Sequence, residues 1–188
     1  NMKLSQLANS RILEQPVYQP GKPIEQVALE YKLDPKEVCK LASNENPWGP
    51  SPLAISAAKT ALSHVHLYPE GSGEKLREAI GKNLKIESSQ IILGNGSNEI
   101  IELIGHIFLQ DGDEVIVGEH AFVVYKLMAR LMGANPVIIP MPNLIHDLDE
   151  MRNAITDKTK LIFLPSPNNP TGTSNSSSDI IRFVKSLP

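Results

Sequence analysis

The chain has 188 residues, of which 41% are hydrophobic and 21% charged, and its formal net charge is −3 at pH 7. That is enough chain for one domain with a real core, and the absence of any basic block excludes an electrostatic nucleic-acid binder. The apolar runs are too short for a transmembrane helix, and the start, Asn1-Met2-Lys3-Leu4, lacks the apolar core of a signal peptide. Asn1 reads as a cloning scar, and the single cysteine, Cys39, rules out an intrachain disulfide and fits a reducing cytoplasm.

Pro16, Pro20, Gly21 and Pro23 interrupt any helix, so the first 23 residues read as an extended arm. Helical spacing follows over residues 24–31, through Ile24, Val27, Ala28 and Tyr31. Residues 40–43 read as a short strand, with Cys39 beside it as a small buried hydrophobe. Ser51-Pro52 opens a helix to about residue 63, with Ser51 as N-cap and proline in the first turn. A regular alternation then begins. Helices are expected over residues 72–84, 97–109, 122–132, 147–154 and 178–186, and strands over 90–93, 114–117, 136–140 (edge-type) and 160–164 (buried). Gly133 ends the 122–132 helix, and the serines of 174–178 cap the last one. Strands alternating with helices predict an α/β fold, a wound and mostly parallel sheet with helices on both faces, preceded by an N-terminal arm.

Two loops carry chemistry. Gly94-Asn95-Gly96-Ser97-Asn98-Glu99 stands between a predicted strand and an apolar helix. A helix start offers free N–H groups and a partial positive charge, glycines allow close backbone approach, and Ser97 adds a hydroxyl, so the turn suits a phosphate. The plainer reading is a tight turn capped by Ser97. Glu99 is favoured by the helix dipole and is expected to point away from any anion. The second loop, Ser166-Pro167-Asn168-Asn169-Pro170-Thr171-Gly172, follows the buried strand and delivers amide side chains to the carboxyl end of the sheet, where open α/β sheets bind ligands. The five histidines show no metal spacing. His120 stands near Phe122 and within reach of a pocket there, His106 reads as a packing histidine on the apolar helix, and His64, His66 and His146 read as surface or loop residues.

The Asn-Pro-Thr-Gly run resembles the loop of the fold-type I, class I/II aminotransferases, and the chain order of phosphate loop, aromatic residue and Asn-Pro-Thr-Gly is that family's order. The resemblance implies the large domain of an aspartate-aminotransferase-like, PLP-dependent transferase. Pyridoxal 5'-phosphate is the implied cofactor. Gly96, Ser97 and Asn98 would hold its phosphate, Phe122 would stack on its pyridine ring, and Asn169 would donate to its phenolic oxygen while Asn168 holds the loop. Phe122 as a core residue is the plainer alternative, and Tyr125 is either packing or pocket wall.

The motifs Tyr18-Gln19-Pro20-Gly21-Lys22-Pro23, Asn44-Glu45-Asn46-Pro47-Trp48-Gly49, Tyr68-Pro69-Glu70-Gly71 and His146-Asp147-Leu148-Asp149 narrow the resemblance to the histidinol-phosphate aminotransferases. That group's pattern implies that Tyr68 reaches across a homodimer to the other subunit's cofactor phosphate, and that Tyr18 and Asn46 border the substrate. The implied reaction exchanges amino groups between L-histidinol phosphate and 2-oxoglutarate in histidine biosynthesis. The Schiff-base lysine and the acid partner of the pyridine nitrogen lie downstream in this family. Neither Lys126 nor Lys185 matches, so no catalytic residue is expected in this chain. The chain is accordingly expected to be an N-terminal half: residues 1–47 the arm and part of a small domain, 48–188 a cofactor-binding large domain cut before that lysine, inactive alone. Aromatic aminotransferases and threonine-phosphate decarboxylases share most of these motifs. A nucleotide-binding α/β module, with Glu119 as its ribose acid, is the alternative of another class, and it leaves the Asn-Pro-Thr-Gly loop without a role.

Overall fold

A computed structural model of the chain describes residues 6–18 and 20–188. The sheet grows from Val115, Ile116 and Val117, all three with no exposed surface, in the strand β1 (Glu114–Gly118). A continuous apolar run of this kind marks a parallel strand covered on both faces. β1 is the centre of a three-stranded parallel sheet in the order β2-β1-β3, flanked by β2 (Asn135–Ile139) and β3 (Thr159–Phe163). Val115 pairs with Pro136 on one side and Leu161 on the other, with an irregularity against β3 between Glu114 and Val115. Pro136 lies on the edge strand, where its missing N–H costs the ladder least.

Side chains alternate along a strand, and the two faces of β1 feed two cores. Val115 and Val117 pack with Ile101 of α5 (Gly96–Phe108) and with Met128 and Ala129 of α6 (Val124–Leu131). Ile116 packs on the other face with Met151 of α7 (Leu148–Asn153) and Phe183 of α8 (Ser177–Lys185). Helices thus cover both faces of a parallel sheet, as expected. Gly105 lets α5 and α6 approach, since a Cβ there would meet the Met128 sulfur. Gly133 closes the end of α6 at φ +80°, and Ser176 caps α8 by accepting from the Asp179 N–H.

The chain divides into two compact units, one of residues 1–16 with 94–188 and the other of residues 17–93. The first unit holds the sheet and also α1 (Ser10–Leu13). This helical turn corrects the expectation of an uninterrupted extended arm: Asn9 caps it, and every proline of the arm lies beyond it. The second unit holds α2 (Ile24–Tyr31), α3 (Pro52–Ala61) and α4 (Glu74–Leu84), with short 3-10 turns at Pro35–Glu37, Leu62–His64 and Ser88–Gln90.

Two expected strands are absent among the described residues. Residues 40–43 form no ladder, and Ser43 and Asn44 turn the chain through positive φ. Gln90 ends a 3-10 turn, and residues 91–93 after it join no strand of the sheet. Cys39 is exposed rather than buried, because the strand that would have turned it inward does not form. Helix α4 starts at Glu74 and not at residue 72, since Gly73 ahead of it sits at φ +62°. Ser51 occupies the N-cap of α3, yet its side chain makes no capping bond.

Candidate active site

The phosphate-type turn is built as the residues suggest. Asn95, at φ −74° and ψ 71°, makes a tight inverse turn in which the Gly96 N–H donates to the Gly94 carbonyl at 2.8 Å. Gly96 follows at φ +76°, a conformation that suits glycine, and a Cβ there would meet nothing within 4 Å. Helix α5 therefore opens onto free space. The Asn95 side chain makes no capping bond, so the first-turn N–H groups beyond that of Gly96 stay available. The Glu99 carboxylate folds back to accept from the Asn95 backbone N–H and from Asn95 Nδ2 (3.1 Å), so its charge sits at the N-cap, against the turn. Ser97 and Asn98 are exposed beside it. Because α5 ends just before β1 and packs along its face, its N-terminus lies toward the C-terminal edge of the sheet.

Phe122 lies on the loop that leaves β1 at this same edge and is half-buried. Its ring meets Tyr125 edge-on, with centroids 5.8 Å apart at 90°. Tyr125 in turn stacks on Phe163 of β3, at 4.3 Å and 14°. Tyr125 is thus packing rather than pocket wall, and burial pushes its phenol above the ordinary value. The result is an aromatic stack that carries Phe122 on its outer end.

The Asn-Pro-Thr-Gly loop leaves β3 at that edge too, and its two asparagines differ. Asn168 is only 3% exposed. Its Nδ2 donates to the His120 carbonyl at 3.1 Å and to Thr171 Oγ1 at 2.8 Å, its backbone N–H to the Thr173 carbonyl at 2.8 Å, and its carbonyl accepts from the Gly172 N–H at 2.8 Å. Asn169 is half-buried, and its side chain makes no hydrogen bond among the described residues. One amide holds the loop and the next is left free to address a ligand.

One residue near this loop departs from its sequence reading. His146 is buried, at 3% exposure, and is not a surface residue: the loop ahead of α7 folds it against the end of β1, beside Gly118. A lone histidine between Ile145 and Asp147 gave no sign of this, although Gly118, a glycine ending a buried strand, marks where a bulky neighbour fits. His120, by contrast, is exposed, 3.7 Å from the Glu119 carboxylate.

Gly96, Ser97, Asn98, Phe122 and Asn169 therefore all belong to the first unit and stand at one edge of its sheet. Tyr18, Asn46 and Tyr68 belong to the second. Tyr68 is completely exposed and Tyr18 largely so. Asn46 uses both ends of its amide within its own loop: Oδ1 accepts from the Trp48 N–H and Nδ2 donates to the Gly49 carbonyl, each at 3.0 Å. Among the described residues, no group of three or more metal-ligating side chains exists, and no helix is long and apolar enough to cross a membrane.

The fold is that of the aspartate-aminotransferase-like, PLP-dependent transferases. It superposes with a TM-score of 0.83 on histidinol-phosphate aminotransferase from Sinorhizobium meliloti in complex with pyridoxal-5'-phosphate, over 95% of this chain and 47% of that one, at 20% identity. The chain belongs to the aminotransferase class I and II family, whose model matches residues 36–186. Among curated proteins it is 43% identical over 184 residues to histidinol-phosphate aminotransferase 2 of Nitrosospira multiformis, covering 98% of this chain and 47% of that protein. It is 47% identical over 172 residues to histidinol-phosphate aminotransferase of Anaeromyxobacter sp., covering 91% and 47%. The chain spans about half the length of the curated relatives it matches.

Proposed function

We propose that this chain is the cofactor-holding part of a transaminase that exchanges the amino group of L-histidinol phosphate with 2-oxoglutarate on pyridoxal 5'-phosphate. The observation that carries the reading is the gathering of an uncapped helix start, the half-buried ring of Phe122 and the unpaired amide of Asn169 at one edge of a parallel sheet. Those groups fit the cofactor's three faces: an anion, a flat aromatic ring and a phenolate. The names of the sequence relatives support the substrate.

When bound, the cofactor supplies a carbonyl for the amino group and a ring that draws electron density from the bond being broken. The first-turn N–H groups of α5 and the Ser97 hydroxyl bind its phosphate, helped by the positive helix end, with Gly96 leaving the approach open and Asn98 beside it. Phe122 lies against the ring face and keeps water from it. Asn169 Nδ2 donates to the phenolic oxygen and holds charge there without titrating. Binding in this way fixes the reacting geometry before any proton moves.

The second unit's residues complete the reading. Tyr68, wholly exposed, is assigned to the cofactor phosphate of a partner subunit, which makes a homodimer part of the proposal. Tyr18 is assigned to the substrate pocket, and Asn46 to shaping the loop that borders it. Residues 1–47 serve as arm and part of a small domain, and 48–188 as the cofactor domain. The lysine that links to the cofactor is assigned to the part of the relatives' length that this chain does not span, and the enzyme to the cytoplasm.

The test is made on the protein at its natural length, loaded with pyridoxal phosphate and mixed separately with L-histidinol phosphate, L-phenylalanine and threonine phosphate. Loss of the visible cofactor band fastest with histidinol phosphate is the expected result. A faster response to phenylalanine reassigns the substrate to the aromatic group and keeps the site.

A further inference from the structure

His146 is buried beside the Asn-Pro-Thr-Gly loop, and nothing in the cofactor assignment uses it. Its ring packs against the end of β1: a Cβ built on Gly118 would stand 2.7 Å from both its Cε1 and its Nδ1. Neither ring nitrogen has a hydrogen-bond partner, and Asn168 Oδ1, also buried, has none either. Buried polar atoms are very seldom left unpaired, and these are of complementary kinds: an amide oxygen only accepts, and a neutral imidazole carries one N–H. Burial pushes the imidazole below its ordinary pKa, and the Pro165 backbone and the Asn168 side chain oppose that push. The segment around His146 also grips the same loop through its backbone. The Leu144 carbonyl accepts from the Thr171 and Thr173 hydroxyls, and the His146 carbonyl accepts from Asn175 Nδ2 at 2.9 Å.

We infer that His146 is a positioning residue for Asn169: one ring N–H donates to Asn168 Oδ1 and so holds the Asn168 amide with its Nδ2 facing the His120 carbonyl and Thr171 Oγ1. With that amide fixed, the loop between β3 and Thr173 has one conformation, and Asn169 presents its free amide in one direction. Loss of the ring N–H would let Asn168 rotate and blur the position of its neighbour. That the neighbour serves a pyridoxal phosphate rests on the function proposed above; the His146–Asn168 bond does not.

The experiment uses nitrogen-15-labelled protein at its natural length and compares wild type with His146→Phe, which keeps bulk and removes the donor, and His146→Gln, which restores a donor. Two quantities are read: hydrogen exchange of the Asn168 side-chain amide, and the dissociation constant for pyridoxal phosphate followed by its visible absorbance. H146F is expected to raise the exchange rate and the dissociation constant, each about tenfold, and H146Q to stay within about twofold of wild type. Unchanged Asn168 exchange in a folded H146F overturns the inference, as does an equal loss in H146F and H146Q, which would show that only volume matters. If H146F fails to fold, the wild-type spectrum decides: a His146 ring N–H protected from water supports the bond, and one that exchanges freely overturns it. Absence of a cofactor band in wild type would sink the proposed function while the exchange measurement still judged the His146–Asn168 bond.

Discussion

Asn168 Nδ2 donates to the His120 carbonyl at 3.1 Å, and this bond ties the loop after β3 to the loop after β1. The two residues are far apart in the chain, yet the bond joins the segments that carry Asn169 and Phe122. A buried amide thus sets the spacing of the two side chains proposed to face the cofactor.

Asn168→Ala and Asn169→Ala should therefore behave oppositely. The first removes two side-chain bonds from a buried site and leaves the His120 carbonyl unpaired, so stability should fall by about 1–3 kcal/mol in denaturant unfolding. The second removes a side chain with no partner, so stability should stay within about 0.5 kcal/mol while pyridoxal phosphate affinity falls about tenfold.

At the helix mouth, Ser97→Ala should weaken pyridoxal phosphate about fivefold by titration and leave the fold intact, since Ser97 is exposed. Gly96→Val should do more. It forces a branched side chain to φ +76°, at a cost of about 1–2 kcal/mol, and disturbs the turn that aims the N–H groups.

Met151 has no exposed surface and fills the core between β1, α7 and α8. Met151→Ala should cost about 2–5 kcal/mol in equilibrium unfolding, the range for emptying such a site.

Glu70 offers a pH test. Its carboxylate accepts from the backbone N–H of Ser72 (2.7 Å) and of Glu74 (2.8 Å), at the start of α4. Hydrogen bonds from Ser72 and Glu74 hold its pKa down to about 2, against 4.5 for the free group. A lowered folded pKa means that the unfolded state takes up the proton first. The stabilisation is therefore full above pH 4.5 and is lost as the pH falls toward about 2. Amide protection at Ser72 and Glu74, corrected for intrinsic exchange, should fall across that window in the wild type. In Glu70→Gln it should be lower at neutral pH and nearly flat.

Much of this was legible in the residues because the signals were local. The alternation of apolar strands with helices gave the parallel sheet, and Ile24, Val27, Ala28 and Tyr31 gave α2 to the residue. The Gly94–Glu99 turn and the Asn168–Gly172 loop were readable as tight loops because glycine, proline and amide chemistry restrict what a backbone can do there. The absence of the strands expected at residues 40–43 and 90–93 was not legible, since a strand needs a partner and the partner is not written in the strand. The burial of His146 was equally hidden: it follows from Gly118 leaving room in space, not from any neighbour in sequence. Likewise, the bond of Glu99 back to Asn95 at the N-cap came only with the structure.

The measurement that bears most directly on the site is a titration of pyridoxal phosphate into the protein at its natural length, wild type beside Asn169→Ala, followed by visible absorbance. The account predicts a saturable cofactor band in the wild type, and in the variant a band shifted in position with affinity about tenfold weaker. A wild type that develops no band, or a variant whose band and affinity match the wild type, would contradict it.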